Sequence, residues 1–202
     1  MNLFAKETSG QKFWKWFIKS ESKIYSSDNN APILNELSKK LSEYKDGITY
    51  ELTVEDNGKK QFIISADGIK ENFQDVISLY KKAPQLKRWE IIAFRPRMKD
   101  FSQITLNYGS KEFDPKNIWI HPIIEGENFD MIIYHPEFTE GDKNIIISGI
   151  YILLDTALGE YDVATGIRYL DFQKLPENPI KEGLIPFIEL RETFDKFKPK
   201  KG

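Results

Sequence analysis

The feature that most constrains this chain is its most apolar run, the stretch DKNIIISGIYILLDTALG from Asp142 to Gly159. Its polar residues recur at i, i+4, i+7 and i+11, at Asn144, Ser148, Tyr151 and Asp155. That spacing places the polar atoms on one narrow stripe of a helix and leaves the rest of the circumference apolar. A helix of this kind is buried on several sides, and the sequence therefore predicts a central helix.

One alternative to the central helix stays open, because the β-branched run from Ile145 to Ile152 also suits a strand and periodicity alone does not decide between them. The downstream sequence LLDTALG favours the helix. Leu154 and Leu158 lie in its last turn, and Gly159 is expected to take a positive φ just past its end.

The composition bounds the class of protein. The chain has 202 residues, of which 40% are hydrophobic and 30% charged, and residues 1–202 are expected to form a single domain. Cysteine is absent, which excludes disulfides and thiolate metal sites. The N-terminal sequence lacks a signal-peptide pattern and the central helix is too short to span a bilayer, so we expect a cytoplasmic protein with no membrane association. The net charge of −2 predicts no nucleic-acid partner.

The predicted elements follow the order ααββαββββαβα, with two hairpins and few βαβ units. This order indicates an α+β fold, with a largely antiparallel sheet and helices packed mainly on one face. Ser9 is expected to cap the first helix and Asn30 the second. Residues 109–117 are expected to be a polar connection, and residues 198–202 a disordered tail.

The register of the first hairpin follows from the alternation of apolar residues in its sequence, ITYELTVED-NG-KKQFIISAD. A two-residue Asn57-Gly58 turn sets Leu52 opposite Ile63 and divides the apolar side chains between the two faces. A loop one residue longer sets Leu52 opposite Phe62 and places Gly58 at the left-handed position that such a loop requires. We predict the longer loop and a positive φ at Gly58.

The usual catalytic signatures are missing, among them the P-loop, the dinucleotide-binding glycine motif and HExxH. His121 and His135 are the only histidines of the sequence. In a hairpin about Gly126 they lie about four residues, or roughly 13 Å, apart along the strands, too far to share a metal ion. We expect two partly exposed structural histidines, each at a strand end or bulge because a proline follows it, and neither a metal site nor a cofactor.

Six charged residues are candidates for ligand binding: Glu21, Arg95, Arg97, Asp155, Glu160 and Asp162. The last three cluster at the end of the central helix, where carboxylates can do acid–base chemistry, hold a hard cation, or merely cap backbone and stay solvated. Anions at a helix C-terminus are mildly unfavourable, which hints at function. The two arginines share a face if their strand continues through Pro96, and they could receive a carboxylate or phosphate or form internal ion pairs.

Glu21 falls in the apolar arc of the first helix, between Phe17 and Ile24. A carboxylate there loses hydration unless a cation or several hydrogen bonds hold its charge. Two explanations remain open. The helix lies shallowly, so that Glu21 reaches solvent or a structural arginine, or Glu21 lines a polar ligand cleft together with Arg95 or Arg97.

Four short patterns carry a resemblance to a known family: FWKWF near the start, ISADG, AP-x-L-x-x-W-E-x-x-AFRPR and LLDTALGEYDV. Through them, over most of its length, the chain resembles a bacterial family of small cytoplasmic α+β proteins with no established activity. The resemblance implies no catalytic residues.

An acidic, cysteine-free domain without catalytic motifs favours a non-enzymatic binding or interaction protein, immunity-like or regulatory in role, with a protein as its possible partner. The alternative is a carboxylate-based hydrolase or cation-dependent enzyme that uses Asp155, Glu160 and Asp162. Phosphate binding through Arg95 and Arg97 ranks third.

Overall fold

The computed structural model of the chain describes residues 7–27, 31–54 and 58–198, and it divides the chain into two compact units, Met1–Arg95 (unit 1) and Pro96–Gly202 (unit 2). The α+β class is confirmed. Within the described residues the strands form three sheets where one was predicted, and four of the six strand pairings are antiparallel. The single domain over residues 1–202 stays a prediction.

Unit 1 joins three helices to a three-stranded sheet in the order β1-β2-β3. Its elements are α1 (Ser9–Tyr25), α2 (Pro32–Tyr44), β1 (Thr49–Val54), β2 (Lys60–Ser65), α3 (Phe73–Tyr80) and β3 (Trp89–Ala93). Strands β1 and β2 are antiparallel, whereas β3 lies parallel to β2. A parallel pair needs a crossover, and α3 supplies it.

The core of unit 1 forms where the aromatic side of α1 packs on β2. The rings of Phe13, Trp14 and Phe17 all pack against Phe62, with Phe17 closest at 5.0 Å between centroids. The Trp14 indole donates to the Leu79 carbonyl at 2.9 Å, which ties α1 to α3. The predicted amphipathic wheel of the first helix therefore faces the sheet, as its aromatic spacing indicates.

The caps of the first two helices differ from the predicted ones. The N-cap of α1 is Thr8, one residue before Ser9, so that prediction is wrong. Thr8 Oγ1 accepts from the Gln11 backbone N–H at 3.3 Å, and the Gln11 side chain accepts from the Thr8 N–H at 2.9 Å. This reciprocal pair, a capping box, satisfies two donors where Ser9 would satisfy one. Asn30 lies outside the described residues.

The predicted register of the first hairpin is confirmed. Leu52 pairs with Phe62, and Gly58 has φ +77°. The rest of the loop, from residue 55 to 57, lies outside the described residues.

Unit 2 contains a four-stranded sheet in the order β8-β7-β6-β9 and a separate two-stranded hairpin. Its elements are β4 (Leu106–Tyr108), β5 (Lys111–Phe113), β6 (Trp119–Glu125), β7 (Asn128–His135), α4 (Lys143–Leu158), α5 (Glu160–Gly166), β8 (Tyr169–Lys174), β9 (Ile185–Pro186) and α6 (Leu190–Phe197). The predicted polar connection over residues 109–117 is wrong, because it contains β5, whose Phe113 is fully buried.

The predicted central helix is α4, and Gly159 follows it with φ +81°. Ile146, Ile150 and Leu153 lie in the core of unit 2, whereas Tyr151 and Ile152 are exposed, so one side of the helix reaches solvent. None of the helices in the described residues combines the length and the apolar content needed to cross a bilayer.

The two faces of the four-stranded sheet differ. On the core face, Ile120, Met131 and Ile133 are fully buried and belong to the same apolar cluster as α4 and α6. Several of the alternate residues, among them His121, Ile132 and Tyr134, are only half-buried. We call the side that they occupy the open face of the sheet.

Candidate functional site

Glu21 is held by an ion pair within unit 1. Its carboxylate accepts from Arg88 Nε at 3.1 Å and Nη2 at 2.5 Å, and from the Trp89 indole at 2.7 Å. Its side chain is 17% exposed. The arginine that faces Glu21 is therefore Arg88, which fits the structural-arginine explanation. A ligand-binding role for Glu21 stays a prediction.

The partners of Glu21 also set its acidity. Burial alone would raise the pKa of Glu21, but the hydrogen bonds from Arg88 and Trp89 outweigh burial and hold the pKa below its ordinary value. A carboxyl whose pKa is lower in the folded state stabilises the fold above its unfolded pKa of about 4.3, and this contribution is lost as the pH falls through the folded-state value.

We expect Glu21→Gln to lower the free energy of unfolding by about 1–2 kcal/mol at neutral pH, because a neutral amide replaces a charged acceptor. The deficit should shrink as the pH falls below about 4. Urea unfolding across this pH range measures both effects, with Glu71→Gln, at an exposed position, as the control. An equal deficit at every pH would show that the charge of Glu21 plays no part.

Arg95 is paired within unit 1 as well. Its guanidinium donates to Glu51, and to Asp67 at 2.9 Å. Burial would lower the pKa of Arg95, but these two carboxylates outweigh burial and raise it. The arrangement fits the internal ion pairs that were the alternative to anion binding.

Arg97 binds the C-terminal end of α4. It donates to the Leu158 carbonyl, to Asp162 and to Asp195, each at 2.8 Å. Lys198 donates to Asp162 too. The unfavourable placement of anions after a helix C-terminus is thus offset by cations, and the structure brings two of the candidates, Arg97 and Asp162, into contact.

Arg191 adds a second cation at the same helix end. It donates to the Ala157 carbonyl at 2.8 Å. Asp155 is half-buried in the last turn of α4, and Glu160, the first residue of α5, is only 1% exposed. The described residues contain no group of three or more His, Asp or Glu side chains placed to hold a metal ion.

The two histidines lie on opposite faces of the unit 2 sheet. His121 pairs with Ile132 on the open face, inside β6, so its prediction at a strand end or bulge is wrong. Pro122 is tolerated there because β9 pairs only with Trp119 and Ile120, which leaves that part of β6 at the sheet edge. His135 ends β7 as predicted, but it is buried at 3% exposure instead of partly exposed.

His135 is a neutral acceptor in the fold. Its Nδ1 accepts from the Glu137 backbone N–H at 3.1 Å, and its ring packs on Phe113. Burial lowers the pKa of His135 below its ordinary value; Glu137 opposes this effect and Lys111 adds to it. Protonation at Nδ1 would turn the acceptor into a donor and break the bond to Glu137.

Stability should therefore fall on mild acidification. An imidazole with a lowered folded-state pKa binds protons first in the unfolded chain, so stability is full above about pH 6.5 and declines below it. His135→Asn keeps an acceptor near the Nδ1 position and should flatten the decline between pH 7 and about pH 5. Urea unfolding gives the slopes and His121→Asn is the control. Equal slopes in wild type and His135→Asn would contradict the assignment.

A cleft of about 540 Å³ lies on the open face of the sheet, and the sequence did not predict it. Its polar lining consists of His121, Tyr134, Gln173, Lys174 and Glu182. Its apolar lining consists of Ile123, Ile132, Pro176 and Leu184. Strands β6, β7 and β8 form its floor, and the segment after β8 forms a wall. We call it the open-face cleft.

The wall is folded upon itself. Within the segment from residue 175 to 184, Glu182 N–H donates to the Asn178 carbonyl at 3.2 Å and Leu184 N–H to the Pro179 carbonyl at 3.0 Å. These bonds fix the backbone that carries the Glu182 carboxylate at the cleft.

Most polar side chains of the open-face cleft have no partner among the residues that the structure describes. Among the described residues, none forms a hydrogen bond or ion pair with the side chains of His121, Tyr134, Lys174 or Glu182. Gln173 donates to Asp171 at 3.0 Å. Burial raises the pKa of Tyr134, and the nearby Asp171 and Glu182 carboxylates raise it further.

Comparison with known proteins finds no protein-family model, no curated protein and no solved structure that matches the chain.

Proposed function

We propose that this chain is a non-enzymatic binding protein, and that the open-face cleft receives its ligand or partner. The observation that supports this function is a difference between the candidate charged residues, which have partners within the protein, and most polar groups of the cleft, which have none among the described residues. Glu21, Arg95 and Arg97 form hydrogen bonds and ion pairs with other residues of the protein. Four polar side chains of the cleft have no such partner in the described parts of the chain, which leaves them available for a ligand.

The strands beneath the cleft support the same proposal. Strands that alternate between apolar and polar residues lie against a core on one side only, whereas strands apolar on both faces are covered on both. Ile123 and Ile132 put apolar side chains on the open face, opposite the buried Ile120 and Ile133. A ligand seated on Ile123 and Ile132 would complete that cover. The cleft volume also falls within the roughly 300–1,000 Å³ of typical ligand sites.

The enzyme alternative has less support. Asp162 is paired with Arg97 and Lys198, so a catalytic or cation-binding role would require breaking both pairs. That cost disfavours a hard cation at this position.

The test is an NMR screen of the full chain, labelled at isoleucine methyl groups, against a library of small amphipathic molecules and short peptides. We expect saturable shifts of the Ile123 and Ile132 signals, and we expect Tyr134→Ala to weaken every hit at least about fivefold. Tyr108→Ala, at an exposed position in β4, is the control. Shifts confined to the end of α4 on addition of Mg²⁺ or Mn²⁺ would favour the cation-dependent enzyme instead.

A further inference from the structure

We propose that the occupant of the open-face cleft is a basic segment of a protein partner, in which an arginine or lysine side chain is flanked by apolar residues. This inference rests on the proposed function and names its partner. Charge and apolar surface each support it.

The charge of the chain is unevenly divided. Unit 2 carries 13 Lys and Arg residues against 18 Asp and Glu residues, a net charge of −5, whereas unit 1 carries 16 against 13, a net charge of +3. The chain's overall charge of −2 conceals this difference. A cleft on unit 2 therefore belongs to a net acidic unit, and an acidic unit favours cationic partners over anionic ones.

Two carboxylates lie at the cleft itself. Glu182 lines it, and Asp171 lies beside it on the open face, where it pairs with Ile132 across β7 and β8. In addition to burial, both carboxylates raise the pKa of the Tyr134 phenol, which places them near it. Lys174 is the one cation in the lining, and the described residues give it no ion pair with Glu182.

Exposed apolar side chains also lie on the elements that border the cleft. Ile123, Ile132 and Leu184 lie within it. Tyr169, which is 60% exposed, shares the open face with Asp171, and Ile180, at 78% exposure, stands on the folded segment that forms the wall. Large apolar side chains around a polar site are typical of a protein interface. A basic side chain would enter between the carboxylates while its apolar neighbours cover this rim.

The experiment measures the affinity of the full chain for three capped six-residue peptides by fluorescence anisotropy. One alternates leucine with arginine, one replaces each arginine by citrulline, which keeps the shape and removes the charge, and one replaces it by glutamate. Butylguanidine, a free small cation, tests whether the flanking residues contribute. We expect the arginine peptide to bind at least about tenfold more tightly than the citrulline peptide at low salt, and the difference to shrink at high salt.

Two variants of the cleft should change the affinity in opposite directions. Glu182→Gln removes an attractive charge and should weaken the arginine peptide several-fold, whereas Lys174→Gln removes a repulsive one and should strengthen it. Glu112→Gln, at an exposed position in β5 away from the cleft and its wall, is the control and should leave the affinity within about twofold. Thermal unfolding of each variant separates a binding change from a loss of fold.

The outcomes separate this inference from the function beneath it. Tight binding of the glutamate peptide, with the signs of the two variants reversed, would overturn the basic partner and leave the binding function standing. Equal binding of the arginine and citrulline peptides would overturn it too, and butylguanidine binding as tightly as the arginine peptide would replace the segment by a small cation. If neither the peptides nor the screened molecules shift Ile123 and Ile132, the binding function itself fails.

Discussion

Ile150→Asp is expected to unfold unit 2. Ile150 lies in the middle of α4, is fully buried and belongs to the apolar cluster formed by α4, α6 and the core face of the sheet. A carboxylate there would lie among apolar side chains, without a cation or hydrogen-bond donor to stabilise it. Its burial costs several kcal/mol or more. A small protein is stable by only about 5–15 kcal/mol, so this one charge removes a large part of the total.

Ile152→Asp is the matched control, because it places the same charge two residues further along the same helix at an exposed position. It should change the free energy of unfolding by less than about 1 kcal/mol. Circular dichroism and thermal unfolding compare the two variants. A wild-type melting temperature for Ile150→Asp would mean that α4 does not form the core.

Gly149→Ala should have the second largest effect on stability. It should destabilise the protein, although alanine has a higher helix propensity than glycine. Alanine in a helix interior is ordinarily more stable than glycine by about 1 kcal/mol. Here a Cβ on Gly149 would lie 2.2–2.6 Å from three ring atoms of Phe113, which is itself fully buried. Relief requires movement of a buried ring, and such overpacking costs about 1–3 kcal/mol. We therefore expect a net loss of stability.

Three further variants, Ser148→Ala, Phe113→Leu and the double variant of Gly149 and Phe113, test whether Phe113 is the cause. Ser148→Ala, on the neighbouring residue, should stay within about 0.5 kcal/mol of wild type. The double variant Gly149→Ala, Phe113→Leu should be more stable than the sum of its two single changes, because the smaller side chain makes room for the methyl group. Urea unfolding compares these three variants with Gly149→Ala and with the wild type. Additive single and double changes would rule out the contact.

The elements that sequence reasoning predicted are those whose patterns are local. The helix over Lys143–Leu158 follows from apolar periodicity and from Gly159, and the register of the first hairpin follows from alternation and Gly58. The β5 strand could not be predicted in this way. It is three residues long within a polar stretch, and Phe113 is buried because Gly149, distant in sequence, leaves room for its ring.

The candidate residues divide in the same way. Glu21 could be identified from its position on an apolar helix face. Its partner Arg88 could not, because Arg88 is 67 residues away and no periodicity relates the two residues. The open-face cleft had one signal, namely the apolar residues Ile123 and Ile132 at positions of β6 and β7 that alternate with the core-facing ones. The strand pairing, which sets His121 opposite Ile132 and Tyr134 opposite Gln173, is needed to show that these side chains share one face.

The most direct test of binding at the open face is the affinity of the arginine–leucine peptide for Ile132→Lys. Ile132 lies on the floor of the cleft, and a lysine there adds a positive charge and removes apolar surface without entering the core. Ile124→Lys is the control, since Ile124 lies in the same sheet, is exposed and does not line the cleft. We predict at least about a tenfold loss of affinity for Ile132→Lys and less than about a twofold change for Ile124→Lys. Equal affinities for both folded variants would contradict binding at this face.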